Sequence, residues 1–223
     1  MDLAKDCLDV GLYTENIAAL RAFYEDELGL PYEELLKAGR GVHQHRLGLH
    51  GGVLKLNASR EPLPEAPAGL RRLVVASPDG PRSLVDPDGN EVELVPPGQD
   101  GVDAVAVHWA STDPDRLGRL LADGFDASPA GSGRWRVGTT VLVLEGGGSA
   151  DVGPMRARGI RYVTAQVRDV RAEHARLLDL GWTEGTAPIR LGDVAYISFV
   201  RDPDGTWVEV SQRASLTGPL PDP

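Results

Sequence analysis

Two glutamates stand at matching places in two near-repeats of the chain, "VDPDGNEVELV" over residues 85–95 and "VRDPDGTWVEVS" over residues 200–211. Proline, aspartate and glycine in this order favour a tight turn, because proline fixes φ, aspartate bonds to nearby amides and glycine accepts a positive φ. The strand predicted after each turn directs its valine and leucine side chains to one face and leaves Glu93 or Glu209 on the other. A carboxylate on such a face could serve as a general base or as a metal ligand.

The segments that must position these glutamates follow a repeated order of strand, helix and further strands. In the first half, "LDVGLYT" alternates as a strand does, "IAALRAFYEDELGL" has helical spacing and stops at Gly29, and "GVHQHRLGLH" with "GVLKLNAS" predicts a hairpin. The same order occurs twice in the second half, from "DAVAVHWAS" and from "IRYVTAQV", whereas "LRRLVVAS" and "NEVELVP" in the first half form a copy without a helix. These patterns predict an α+β protein of repeated modules, each a curved sheet with its helix on the outer face.

The opening strand indicates which face of such a sheet would carry chemistry. Val10 and Leu12 alternate with Asp9, Gly11 and Tyr13. Because successive side chains of a strand point to opposite faces, the apolar pair would face the helix and the other three the opposite side. Polar groups are therefore expected to collect on the face away from the helix.

Proline- and glycine-rich connectors predict the domain boundaries. The connector "PPGQDG" follows directly on the first repeat and is the best candidate for the junction between two halves. We therefore predict an N-terminal domain over residues 1–97, whose second module lacks its helix, a C-terminal domain over residues 102–213, and a proline-rich tail over residues 214–223.

Composition excludes several classes of protein. Of the 223 residues, 41% are hydrophobic and 25% charged, which are ordinary globular values. A net charge of −10 argues against nucleic-acid and anionic-membrane partners, which need clustered Lys and Arg. No apolar run is long enough to cross a bilayer and the start lacks the pattern of a signal peptide, so a cytoplasmic location is expected. Cys7 is the only cysteine, which excludes an intrachain disulfide.

With the repeated module established, the chain resembles the vicinal oxygen chelate superfamily, which includes glyoxalase I, bleomycin-resistance proteins and extradiol dioxygenases. The resemblance is carried by "LDVGLYTENIAALRAFYEDELGL", by "IRYVTAQVRDVRAEHARLLDLGW" and by the two Asp-Pro-Asp-Gly elements with Glu93 and Glu209. It implies paired βαβββ modules that form cups, with a divalent metal on the floor of the cup in many members. The metal ligands of the family are a His near the start of each module and a Glu or Gln on its last strand.

In the first half, the positions matched by this resemblance do not carry a metal-binding set. They carry Asp9, Lys55, Arg72 and Glu93. Two positive and two negative charges can neutralise one another, and a divalent cation beside Lys55 and Arg72 would be repelled. We expect these four residues to form a charge cluster without metal.

In the second half, the matched positions carry Ala106, Val143, Tyr162 and Glu209. Two strand residues further on, and so on the same face, lie His108 and Glu145. A site of His108, Glu145 and Glu209 would suit Fe(II), Mn(II), Zn(II) or Ni(II) by ligand type. The alternative is that His108 and Tyr162 line a pocket without metal and bond to the two glutamates.

Aromatic and basic residues of the second half are candidates for binding a ligand. Trp207 and Tyr196 would give a cup an aromatic wall if they face it, and core packing is the competing explanation. Arg134 and Arg136 alternate on a neighbouring strand, where they would meet an anionic group of the ligand.

Two functions follow from these expectations. The first is a lyase, isomerase or dioxygenase acting on a small oxygenated or aromatic metabolite in the C-terminal cup, with one divalent metal. Glu209 would be a metal ligand or general base, His108 a metal ligand or acid/base, and Tyr162 a proton donor. The second is a metal-free protein that sequesters a small molecule, as the bleomycin-resistance branch does. In both cases the partner is a small molecule and the protein a monomer or homodimer.

Overall fold

The computed structural model describes residues 1–37 and 41–221, which form four consecutive modules. Module 1 comprises β1 (Leu3–Thr14), α1 (Ile17–Arg21) with a π-helical continuation (Ala22–Glu27), β2 (Tyr32–Lys37), β3 (Val42–Leu49) and β4 (Gly52–Ser59). Module 2 comprises β5 (Leu70–Ala76), β6 (Arg82–Val85) and β7 (Glu91–Val95), and a 3-10 turn (Gln99–Gly101) follows it. Module 3 comprises β8 (Val105–Ala110), α2 (Pro114–Phe125), β9 (Ser128–Pro129), β10 (Arg134–Val137) and β11 (Thr140–Glu145). Module 4 comprises β12 (Gly159–Val167), α3 (Val170–Asp179), β13 (Thr183–Leu191), β14 (Ala195–Arg201) and β15 (Trp207–Arg213), before α4 (Ala214–Thr217).

The modules pair into two curved sheets, which confirms the α+β fold. Modules 1 and 4 form an eight-stranded sheet in the order β13-β14-β15-β12-β1-β4-β3-β2. Modules 2 and 3 form a seven-stranded sheet in the order β6-β7-β5-β8-β11-β10-β9. The expectation that each half of the chain builds its own cup is therefore corrected, because β1 pairs antiparallel with β12 and β5 with β8.

Local sequence explains where the two longer helices begin. The side chain of Asp113 accepts a hydrogen bond from the N–H of Arg116 at 2.9 Å, and Pro114 occupies the first turn of α2. Asp169 caps α3 in the same way, since its carboxylate accepts from the N–H groups of the second and third residues after it. Module 2 passes from β5 to β6 without a helix, as predicted. No helix in the described residues is long and apolar enough to span a membrane.

The buried core joins the helices to one face of both sheets. Val10 and Leu12 of β1 lie in it beside Leu117 of α2 and Leu177 of α3, as the alternation of the opening strand predicted. Each sheet leaves its opposite face to a separate, smaller apolar cluster. The polar side chains that these opposite faces carry are therefore outside the common core.

The two Asp-Pro-Asp-Gly turns fasten the sheets to each other. Asp86, in the turn between β6 and β7, accepts a hydrogen bond from the Tyr24 hydroxyl of module 1 at 2.9 Å. Asp202, in the turn between β14 and β15, accepts one from the indole N–H of Trp109 in β8 at 3.0 Å. Each turn thus belongs to one sheet and receives a buried aromatic donor from a module of the other.

Asp202 combines this contact with the closure of its own turn. Its other carboxylate oxygen accepts from the N–H groups of Asp204 and Thr206 at 3.0 and 2.7 Å. Burial raises the pKa of Asp202 from the usual 3.8 to about 6, although the hydrogen bonds from Thr206 and Trp109 oppose that rise.

We expect the wild-type protein to lose stability relative to an Asp202→Asn variant as the pH rises from about 4 to about 6. Because the pKa of Asp202 is raised on folding, the folded state holds a proton in this window that the unfolded chain has released, so the free energy of unfolding falls as the pH rises. Urea denaturation at several pH values in this window measures the free energy of unfolding of both proteins. The difference between the wild type and Asp202→Asn should change by on the order of 1–3 kcal/mol.

The matched control is Asp193→Asn, at an aspartate whose side chain is 99% exposed. This variant should follow the wild type at every pH. An Asp202→Asn variant with the same pH dependence as the wild type would contradict the raised pKa.

Candidate ligand-binding site

One face of the eight-stranded sheet encloses a cavity of about 590 Å³, which we name the large cup. All eight strands contribute to its lining. Aromatic and aliphatic side chains form one part of the lining, and a group of charged and amide side chains forms the floor and one end. This is the face that the alternation of β1 predicted for polar groups.

The floor of the large cup is built around the ammonium group of Lys55. Its Nζ lies 2.7 Å from Glu209 Oε2, 2.7 Å from Thr164 Oγ1 and 3.6 Å from Asp9 Oδ2. The Thr164 hydroxyl in turn donates to the same Glu209 oxygen at 2.7 Å. Since the Lys55 side chain is only 3% exposed, water screens these contacts little.

Asp9 anchors this floor from β1. Its carboxylate accepts hydrogen bonds from the Val53 N–H at 3.0 Å and the Gln166 amide at 2.9 Å, and it pairs with Lys5 at 3.0 Å. Burial alone would raise the pKa of Asp9, but the charges of Lys55 and Lys5 and the hydrogen bonds from Gln166 and Lys5 together outweigh burial and hold it below the usual value. Asp9 is therefore ionised at neutral pH. The Oε1 of Gln166 is buried and has no hydrogen-bond partner among the described residues.

Tyr162 lies over β1 because a glycine makes room for it. A Cβ at Gly11 would stand 2.1 Å from the Tyr162 Cζ, so only glycine fits beneath the ring. Asn57 donates to the Tyr162 hydroxyl at 3.0 Å and to the carbonyl of Leu12 at 2.9 Å, which fixes both strands. Burial, followed by the charge of Glu209, raises the pKa of Tyr162 well above its usual value, so the phenol stays protonated.

An aromatic wall continues from Tyr162 along the large cup. The Tyr162 ring centroid lies 6.4 Å from that of Tyr13 and 5.9 Å from that of Phe199. Burial, with the charge of Glu209, raises the pKa of Tyr13 to about 12, so its hydroxyl is also a donor at neutral pH. Trp207 packs behind Phe199 at 6.3 Å and donates to the carbonyl of Gly153 at 3.2 Å. Trp207 thus supports the wall but is not among the residues that line the cavity.

Two arginines lie at the end of the large cup. Arg46 Nε is 2.9 Å and Arg213 NH2 is 3.2 Å from the same oxygen, Oε1 of Glu34. The guanidinium of Arg46 also donates to the Gln44 side chain at 3.2 Å.

The predicted ligand-binding residues other than Trp207 lie elsewhere. Tyr196 belongs to the common core, on the opposite face of β14, where its hydroxyl accepts from Arg171 at 2.7 Å. This placement corrects the expectation that Tyr196 faces a cup, because its neighbours in β14 take that face. Arg134 and Arg136 belong to the seven-stranded sheet and donate to the carbonyls of Asp100 and Gly101 at 3.2 and 2.7 Å. These two hydrogen bonds attach the connector between the two halves of the chain to β10.

The predicted metal ligands are divided between the sheets, which corrects that prediction. His108 and Glu145 face each other in the seven-stranded sheet, with Nδ1 and Oε2 3.2 Å apart. Glu209 and Tyr162 lie in the eight-stranded sheet. The expected charge cluster of the first half is divided in the same way: Asp9 and Lys55 meet in the large cup, whereas Arg72 NH1 lies 3.6 Å from Glu93 Oε2 in the other sheet.

The residues of the large cup do not fit a divalent metal. An ammonium group, Lys55 Nζ, already lies between the two carboxylates that could bind one. In residues 1–37 and 41–221 no group of three or more His, Cys, Asp or Glu side chains could hold a metal ion. The pair of His108 and Glu145 supplies two donors only.

Modules paired into two curved sheets, with a cavity on one face of the larger sheet, define a protein of the vicinal oxygen chelate fold. The chain belongs to the Glyoxalase/Bleomycin resistance protein/Dioxygenase superfamily, whose family model matches residues 8–210. Among curated proteins, none matches the chain by sequence.

Solved structures agree on the fold. Glyoxalase I from Zea mays has a TM-score of 0.71 to this chain at 15% identity, over 92% of each chain. A putative dioxygenase from Bacillus subtilis subsp. subtilis str. 168 has a TM-score of 0.69 at 14% identity, over 96% of this chain and 85% of its own. The cppA protein from Streptococcus pneumoniae TIGR4 has a TM-score of 0.55 at 12% identity, over 95% of this chain and 100% of its own. At these identities the likeness is one of fold, not of activity.

Several residues of the site were missed at the level of sequence. Asn57, Thr164, Arg46 and Arg213 were not predicted. A signal was present for the first, because Lys55 and Asn57 alternate with leucines in "GVLKLNAS" and so share a face. Arg46 lies opposite Lys55 in the predicted hairpin of β3 and β4, so its position was also open to prediction. Thr164 and Arg213 needed the knowledge that β1 and β12 are neighbours.

Replacing Lys55 by methionine should destabilise the protein by about 3–5 kcal/mol near neutral pH, because Glu209 would lose its buried cation. Without Lys55 the buried Glu209 carboxylate would lack a cation, whereas Asp9 would keep its ion pair with Lys5. The loss should therefore shrink as the pH falls and Glu209 takes up a proton. Chemical denaturation at neutral and acidic pH measures it. Lys37→Met, at an exposed lysine of the same cup, is the control, and a Lys55→Met variant as stable as the wild type would contradict this account.

Gly11→Ala should destabilise the protein by about 1–3 kcal/mol, because its Cβ would overlap the Tyr162 ring. Thermal and urea denaturation provide the measurement. Gly146→Ala is the matched control, since a Cβ there meets no atom within 4 Å. Equal stability of the two variants would show that Tyr162 does not lie over β1.

Proposed function

We propose that this protein binds a small organic molecule in the large cup and does so without a divalent metal. The observation that carries the proposal is the Lys55 ammonium between Asp9 and Glu209, which neutralises the floor from within the chain. A bound cation would have to displace this group and leave it buried without a partner, at a cost of several kcal/mol.

The lining of the large cup supports a ligand with an apolar body. Tyr13, Tyr162 and Phe199 offer ring surfaces along one wall, and the volume of about 590 Å³ lies in the range of small-molecule sites. Members of the family bind small molecules, which agrees with this assignment.

Proton transfer is a second candidate function, supported by the arrangement of Glu209. Its Oε2 is held by Lys55 and Thr164, and Glu209 borders the cavity. As a general base it would take a proton from a carbon next to a carbonyl of the ligand, and the Lys55 ammonium would offset the negative charge left on the ligand oxygen. Deuterium uptake from D₂O into a bound ketone, abolished in Glu209→Gln, is the test that separates such an enzyme from a binding protein.

Binding of 2-naphthamide, an uncharged aromatic probe, should be measurable by isothermal titration calorimetry and unchanged by EDTA. Ile197→Trp, which fills the cavity from β14, should weaken it by about tenfold or more because the probe and the new ring compete for one volume. Val85→Trp, at a valine that is 64% exposed on the other sheet, should leave it unchanged. Added Mn²⁺, Ni²⁺ or Zn²⁺ should not shift the melting temperature.

Two results would contradict the proposal. One is a probe affinity that disappears in EDTA and returns with a stoichiometric metal. The other is an affinity that Ile197→Trp leaves untouched, since the probe would then bind outside the large cup.

A further inference from the structure

Two arginines at the end of the large cup, Arg46 and Arg213, share a single carboxylate; we name them the arginine pair. Arg46 is 5% exposed and the Arg213 side chain 14%, so both are largely withdrawn from water. Both contact the same Glu34 oxygen, at 2.9 and 3.2 Å. The contact from Arg46 Nε lacks the alignment of a hydrogen bond. Glu34 therefore satisfies the arginine pair incompletely.

The charges around the large cup do not balance at this end. On the floor, Lys5 and Lys55 match the carboxylates of Asp9 and Glu209. At the end, two guanidinium groups face one carboxylate, and the Glu34 side chain is 41% exposed, so solvent screens part of its charge. A guanidinium does not lose its proton at neutral pH.

The two guanidinium groups also disfavour each other. Burial, and next the charge of Arg46, lowers the pKa of Arg213, while the charges of Glu34, Asp9 and Glu209 only partly offset these effects. A buried cation without a full counter-charge is costly, and an anion in the cavity would remove that cost. The whole protein has a net charge of −10, so a cationic end in this cavity is a local feature and not a reflection of overall composition.

We propose that the arginine pair binds the carboxylate of an organic acid whose apolar body lies along the aromatic wall of the large cup. Planar guanidinium groups match a carboxylate in geometry, and the excess of positive charge at this end of the cavity matches an anion. This inference rests on the proposed binding function and specifies the class of its ligand.

Calorimetry with 2-naphthoate and 2-naphthamide, which differ in the carboxylate alone, tests the inference. The wild type should bind 2-naphthoate about tenfold more tightly than the amide. Arg213→Gln should reduce this preference to about twofold or less without changing the affinity for the amide. Glu34→Gln should increase the preference, because it removes the competing carboxylate. Glu33→Gln makes the same change of charge on the adjacent residue, whose side chain lies beside Gly48 and is not among the residues that line the cavity, and should behave as the wild type.

If an arginine variant fails to fold, Glu34→Gln still tests the inference, because the Glu34 side chain is 41% exposed and its replacement should not prevent folding. Equal affinity for the two probes, abolished in Ile197→Trp, would overturn the arginine-pair inference and leave the binding function standing. A preference that survives in Arg213→Gln and does not grow in Glu34→Gln would also overturn it. Binding of neither probe, or binding that Ile197→Trp does not affect, would overturn the proposed function itself.

Discussion

The ammonium group of Lys55 lies where four strands meet, and its contacts connect the first module to the last. Lys55 is on β4, and its partners Asp9, Thr164 and Glu209 are on β1, β12 and β15. Asp9 and Thr164 are register partners, and so are Thr164 and Glu209. Because two carboxylates and one ammonium are buried together, each group depends on the others for its charge compensation. The same buried charges therefore hold these four strands together and form the floor of the large cup.

The two aspartate turns complete the arrangement from the other side of the sheets. Asp86 receives the hydroxyl of Tyr24 and Asp202 the indole of Trp109, each across the common core. A repeat that looks like a turn used twice is therefore a pair of reciprocal cross-links between the sheets. It also separates the roles of the glutamates that follow: Glu209 lies on the floor of the large cup, whereas Glu93 pairs with Arg72 in the smaller sheet.

Much of the fold was predictable, because modules, hairpins and the helix-free second module each have a local signature. Asp9 and Tyr13 were placed on the correct face by alternation alone. Which modules pair was not predictable, since the apolar pattern of a strand reports its buried face and not its neighbour. Because the pairing of the modules was unknown, the prediction that His108, Glu145 and Glu209 form one metal site was wrong. The prediction for Tyr196 was wrong for another reason. The segment "AYISFV" is apolar on both faces, so alternation could not show which face carries Tyr196. The cytoplasmic location stays a prediction.

We propose that the Lys55 ammonium replaces a metal ion on the floor of the large cup. Anomalous diffraction at the manganese edge, from crystals of the wild-type protein soaked in Mn²⁺, is the sharpest test of this arrangement. We expect Lys55 Nζ close to the 2.7 Å now seen from Glu209 Oε2, with no anomalous peak on the floor. A manganese peak at bonding distance from the Asp9 and Glu209 carboxylates, with the Lys55 side chain turned away, would contradict it.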